Sequence, residues 1–135
     1  VELEPDESEG HTGLALVLVR QGKVEEGIAA GLAVGEKSKS DSVYFYNLAC
    51  IYGRAIEQLE SRPDAATPDQ KTRIEQFRSR GVELLQQSID NGLDDSNLDW
   101  MKRDPDLEPI RKSPEFQTLV EKSAAERDGI PNENP

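Results

Sequence analysis

Leu14, Ala15 and Leu18 recur as Leu48, Ala49 and Tyr52, each pair 34 residues apart. A fixed period of that length marks stacked helix–turn–helix units, because one such unit cannot bury its apolar face alone. The period predicts an all-α chain. Residues about 7–21 read as the first helix of unit one, with Leu14, Leu18 and the small Ala15 as its inward face. Gln21-Gly22 makes the turn. A second helix follows from Lys23 to about Lys37, with Val24, Ile28, Leu32 and Ala33 inward.

Gly27, Gly31 and Gly35 lie four apart on that second helix. Each costs about 1 kcal/mol of helix propensity relative to Ala. The expected return is close approach of a neighbouring helix. A membrane helix dimer is the alternative reading of such spacing. Glu25, Glu26, Glu36 and Lys37 flank the motif, and no apolar run of spanning length surrounds it.

The first helix of unit two is expected from about Ser42 to Glu60, capped by Ser40 or Asp41. The small residue of its second helix arrives at Gly81, about 20 residues later than the period requires. The insertion divides between longer helices and a loop at Ser61–Ala66. Thr67-Pro68-Asp69-Gln70 restarts a helix, with Thr67 as cap, Pro68 at the first helical position and Gln70 able to close a capping box. Ile74, Phe77, Leu84, Leu85 and Ile89 form the expected buried stripe, and Asn91-Gly92 the stop. Two or three short helices should follow, burying Trp100, Leu107, Ile110, Phe116 and Leu119. Such an atypical terminal segment would cap the last apolar face.

The segment Phe45-x-x-Leu48-Ala49-x-x-Tyr52 resembles the opening of a tetratricopeptide repeat (TPR), with Phe for Trp and Ala for Gly. His11-x-x-Leu14-Ala15-x-x-Leu18 is a weaker upstream copy. Residues 46–120, through YNLACIY, GVELLQQSIDNGLDD, DPDLEPIR and SPEFQTLV, resemble a terminal block of bacterial TPR proteins. The resemblance implies a TPR-like α–α superhelix with short C-terminal capping helices over residues 1–127. Within it, 1–6 would end a preceding repeat, terminated at Pro5, of a longer array, with 7–39 as repeat one, 40–92 an elongated repeat two and 93–127 the cap. An ordinary acidic arm is the rival reading of 1–6. Residues 128–135 would be a flexible tail. The resemblance further implies a regulatory or scaffolding part of a larger bacterial protein.

The formal net charge of −11 repels phosphate, so nucleic acid is not an expected partner. One cysteine, Cys50, leaves no internal disulfide and suits a reducing compartment such as the cytoplasm. No segment has the length of a membrane span. Catalysis is not expected. The single His, His11, falls at a packing position of the repeat and has no nucleophile signature nearby. Asp94-Asp95 and Asp104-Pro105-Asp106 lack calcium-loop spacing and read as helix caps. No cofactor or metal is expected.

In a TPR the first helix of each unit lines a concave groove. The resemblance therefore places Thr12, Leu16, Val19 and Arg20 there in unit one, and Val43, Tyr46, Asn47, Cys50 and Arg54 in unit two. Arg20 and Arg54 are 34 apart and equivalent. An apolar groove with a basic edge suits a protein or peptide partner bearing a carboxylate, which arginine grips in bidentate fashion. Asn47 matches an Asn that such domains use on a ligand backbone, although it can equally bridge helices. The family's carboxylate clamp is incomplete, since Thr12 stands where it needs Lys. Tyr46 and Arg54 could instead pack under the long insertion or on the C-terminal cap. The rival is a structural module whose groove is filled by its own tail or by another copy, through self-association.

Overall fold

Gly22 and Gly92 both adopt positive φ, +88° and +94°, and each ends the helix before it. The following amides reach back to close the last turn: Lys23 N–H to the Leu18 carbonyl at 2.9 Å and Leu93 N–H to Ser88 at 3.2 Å. Around these stops the computed structural model, which describes residues 7–33 and 41–127, is all helical, with no strand among the described residues. Helices α1 (Glu7–Arg20) and α2 (Val24–Leu32) form one hairpin, and α3 (Ser42–Glu60) and α4 (Pro68–Asp90) a longer one. Then come α5 (Asp95–Trp100), a 3₁₀ turn (Pro105–Leu107), α6 (Glu108–Arg111) and α7 (Pro114–Arg127). The expectations for 1–6, 34–40 (with Gly35 and Ser40) and 128–135, and that for the His11 side chain, lie outside what is described.

Side-chain caps fall where the sequence places them. The Asp41 carboxylate accepts from Val43 N–H at 2.9 Å, Thr67 Oγ1 from Gln70 N–H at 3.3 Å and Asp94 from Asn97 N–H at 2.9 Å. One detail differs. The Gln70 amide donates to the Asp64 carboxylate in the preceding turn and does not close a capping box on Thr67.

Helix α3 is the hub, touching α1, α2, α4, the 3₁₀ turn and α6. Its residues are buried on nearly every side, Ile51, Ala55, Ile56 and Leu59 completely. The faces of the first hairpin are rotated from the expected ones. Thr12, Ala15 and Val19 are the buried face of α1, while Leu14 is exposed and Leu18 half-buried. On α2, Val24, Gly27 and Gly31 are buried, Ile28 is half-buried, and Leu32 and Ala33 are exposed. The reason is close packing. A Cβ at Gly27 would overlap Val19 and the Ala15 carbonyl, so small residues define the contact and the leucines are left on its flank.

The insertion is anchored at both ends. Arg62 donates to the Gly22 carbonyl at 3.1 Å, and Arg73 pairs with Glu25 of α2. Ile74, Leu84 and Leu85 are buried as expected, with Phe77 and Ile89 half-buried. Arg78 is buried among them. Its guanidinium donates to the Pro109 carbonyl at 2.9 Å, to Glu60 at 3.2 Å and to Glu75, and so joins α3, α4 and α6. In the tail, Leu98, Met101, Leu107, Ile110, Phe116 and Leu119 turn inward. Trp100 does not. Leu98 on the short α5 and Met101 just past its end take the inner side, leaving the indole exposed with the Arg103 guanidinium over its ring.

Arg78→Ala should therefore lower unfolding stability by about 2–3 kcal/mol, since it strands a buried carbonyl and removes a buried guanidinium that joins three helices. Arg73→Ala, at a more exposed pair, should cost less than about 1 kcal/mol. Urea titrations of the two variants measure the difference.

Candidate functional site

Tyr46, Cys50, Gly53 and Arg54 lie at i, i+4, i+7 and i+8 on α3, one continuous stripe of a helix. The stripe is covered by the chain's own Asp104-Pro105-Asp106 segment. The Tyr46 hydroxyl donates to Asp104 Oδ2 at 2.8 Å, and the Cys50 thiol lies 3.9 Å from the same oxygen. Arg54 Nε donates to Asp106 Oδ1 at 2.6 Å and its Nη1 to Glu57 at 2.8 Å. Asp104 Oδ1 accepts the Asp106 amide at 2.9 Å, which fixes the turn itself. Arg111 Nη1 donates to the carbonyls of Met101 and Asp104, at 3.1 and 2.8 Å, and secures it from behind.

What admits this segment is Gly53. A Cβ there would overlap the Asp106 carbonyl oxygen. On the facing helix, Gly81 leaves the space that Ile110 fills. The period predicts a match between Gly81 and Gly27, but the partners differ: Gly27 meets Val19 and Ala15, Gly81 the tail. The insertion lengthens α4 and lets the tail take that contact.

The expected groove residues thus divide. Tyr46, Cys50 and Arg54 converge on the acidic turn. Thr12 and Val19 are buried, Val19 beneath α2 and not in a groove. Leu16 and Asn47 are half-buried, while Arg20 and Val43 are exposed. Asp94 and Asp104 do cap helical turns, as expected. Asp104 additionally receives the Tyr46 hydroxyl, a role its spacing does not reveal. Sequence reasoning also missed Gly53, Arg78 and Arg111. Gly53 had a signal, since a glycine inside YNLACIYGRAIEQL weakens the helix unless something approaches it closely.

Burial, followed by the carboxylates of Asp104 and Asp106, holds the Cys50 thiol well above its usual pKa. Burial and then the bond to Asp104 push the Tyr46 phenol up as well. Burial works against the charge of Arg54, but Glu57 and Asp106 outweigh it and raise its pKa. Cys50, Asp104 and Asp106 could in principle hold a metal, as their donor atoms lie within 4.8 Å of one another. They do not fit one here. Three carboxylate oxygens already accept protein hydrogen bonds, one of them from the Arg54 guanidinium, whose positive charge opposes a cation. The cluster is a closed hydrogen-bonded lock. A surface depression lined by Lys71, Glu75, Ser79 and Arg80 among others belongs to α4 alone.

No family model, curated protein or solved structure matches the chain.

Gly53→Ala should cost about 1–3 kcal/mol with helix content retained, because a backbone oxygen must move; urea unfolding followed by circular dichroism checks it. Folded stability should also fall in alkali. The Cys50 thiol and the Tyr46 phenol hold their protons more firmly in the native state than in the unfolded chain. Their contribution is complete below the unfolded pKa values, about 8.5 for Cys and about 10 for Tyr, and declines as pH rises past them. Each group adds up to about 1.4 kcal/mol per pH unit. Tyr46→Phe and Cys50→Ala should each flatten the decline between pH 8 and 11. An unchanged slope in both variants would contradict the lock.

Proposed function

We propose that the chain is a TPR-like protein-interaction and scaffolding module without catalysis of its own, and that half of its concave face is filled by its own acidic turn. The observation that carries this reading is the clasp of Asp104 and Asp106 by Tyr46 and Arg54. A carboxylate-bearing turn lies on the stripe to which the repeat register assigns an acidic peptide. Two helical hairpins support the TPR-like part, with Ala15 and Ala49, 34 apart, both fully buried. The self-filled face favours the structural alternative for unit two. A ligand there would have to expel Asp106, and with it the fully buried Leu107 and Ile110.

Partner recognition then falls to Leu16, Arg20, Val43 and Asn47, which stay partly or fully exposed. A partner segment with an apolar anchor and a carboxylate suits them. The reading places the module in a larger bacterial, cytoplasmic protein. No helix among the described residues is long and apolar enough to cross a membrane, which agrees with it.

The test separates the two arginines. Selection of acidic, leucine-containing peptides on the immobilised protein, followed by fluorescence polarisation, supplies a ligand. Arg20→Glu should weaken its binding by about 1.5–3 kcal/mol, the scale of a charged hydrogen bond. Arg54→Ala should leave affinity unchanged and lower the urea midpoint. A loss of affinity in Arg54→Ala with unchanged stability would assign the ligand to the clasp and reject the self-filled face.

A further inference from the structure

Gly31 of α2 sits against Leu48 and Ile51 of α3. A Cβ built on it would stand 3.1 Å from Leu48 Cδ1 and 2.7 Å from Ile51 Cδ1. Leu48 and Ile51 are 2% and 0% exposed there, and the Tyr44 hydroxyl donates to the Gly31 carbonyl at 3.1 Å. The residues 34 positions earlier are Leu14 and Val17. They are 51% and 47% exposed. One helix surface therefore occurs twice in the chain, once covered by a glycine-bearing helix and once open.

From this equivalence we propose that the Leu14–Val17 flank of α1 docks a partner helix that presents a small residue, Gly or Ala, at the crossing, as α2 presents Gly31 to Leu48 and Ile51 of α3. The flank lies on the other side of α1 from Leu16, so the inference goes beyond the groove and does not depend on it. A leucine and a valine that are each about half exposed need a partner with a recess between its own side chains. A helix bearing a small residue at the crossing supplies one and lets the backbones approach. A helix with a large residue there would be held off by about the width of that side chain.

A second copy of this chain does not supply the occupant. Its Gly27 and Gly31 are buried, and its Gly53 and Gly81 are covered by Asp106 and Ile110. Two copies, each with net charge −11, also repel. The open seat has Gly10 where the covered one has Tyr44, so it lacks the hydroxyl that grips the Gly31 carbonyl. Binding there rests on apolar contact.

The probe is a labelled, end-blocked peptide of residues 22–35, the sequence of α2 itself, titrated with the intact protein by fluorescence polarisation. Saturable binding is expected, weakened about tenfold or more by Leu14→Glu or Val17→Glu in the protein, since each removes the burial of one apolar side chain. Because both side chains are exposed, the variants should keep the wild-type urea midpoint. Gly31→Leu in the peptide should abolish binding, and this arm does not depend on the folding of any protein variant. Equal binding by wild type and both variants would mean that the peptide enters elsewhere, for instance by exchanging with α2, and would overturn the proposal. So would no saturation up to about 1 mM. A dimer seen by sedimentation that Val17→Glu dissolves would give the flank to a second copy and overturn it as well.

Discussion

The approach of the Asp106 carbonyl to Gly53 is the contact on which the second half of the molecule depends. Only a residue without a side chain lets a turn come so near a helix backbone. Once the turn is seated, Asp104 lies under the Tyr46 hydroxyl and Asp106 beside Arg54. Leu107 and Ile110 then enter the core, and Ile110 fills the recess over Gly81 on the facing helix. The Pro109 carbonyl becomes the acceptor for buried Arg78. Polar and apolar contacts reinforce one another here, since each carboxylate that leaves water finds a donor and each buried leucine or isoleucine brings the donors closer. In a chain with so few aromatic rings, that coupling replaces part of the core that large side chains would otherwise supply.

Helix boundaries were legible because they follow from local chemistry. Asp41, Thr67-Pro68, Asp94, Gly22 and Gly92 act within a turn of their own position, so their effect can be read without knowing the fold. The faces of α1 were not legible. Leu14–Val19 is apolar without interruption, so the helix offers several possible inward faces. Which one is buried depends on where α2 and α3 lie. The contact between Gly27 and Val19 decided for Ala15 and Val19, against Leu14 and Leu18. Trp100 differs for a related reason: a six-residue helix has one inner side, and Leu98 and the capping Met101 occupy it. The candidate site was half legible. Repeat register put Tyr46, Cys50 and Arg54 on one stripe, but it holds no information about a segment more than fifty residues downstream that comes to cover them.

That covering changes the chemistry of the stripe. Tyrosine, cysteine and arginine together could be a nucleophile with its activators, a ligand set or a peptide seat. With Asp104 in place the thiol is buried, held protonated and hydrogen-bonded to a carboxylate, which is the reverse of the electropositive, accessible setting that makes a cysteine reactive. Arg54, the cation of the group, is engaged by two carboxylates. The residues remain a recognition surface in the physical sense, but what they recognise is this chain's own turn.

The three arginines at this junction explain how the lock can be partly buried without leaving charges stranded. Arg54 serves Asp106 and Glu57; Arg78 serves Glu60, Glu75 and the Pro109 carbonyl; Arg111 serves two carbonyls at the base of the turn. Each meets more than one acceptor, and those of Arg54 and Arg78 belong to separate elements. A planar guanidinium can do this with its fork of donors, and its weaker hydration lowers the cost of burial, whereas an ammonium is a compact, strongly hydrated point. The described lysines, by contrast, all lie on the exposed surface. In a strongly acidic chain, repulsion among carboxylates would otherwise favour a looser tail. Placing guanidinium groups where α3, α4 and the tail converge turns those same carboxylates into acceptors that hold the tail down.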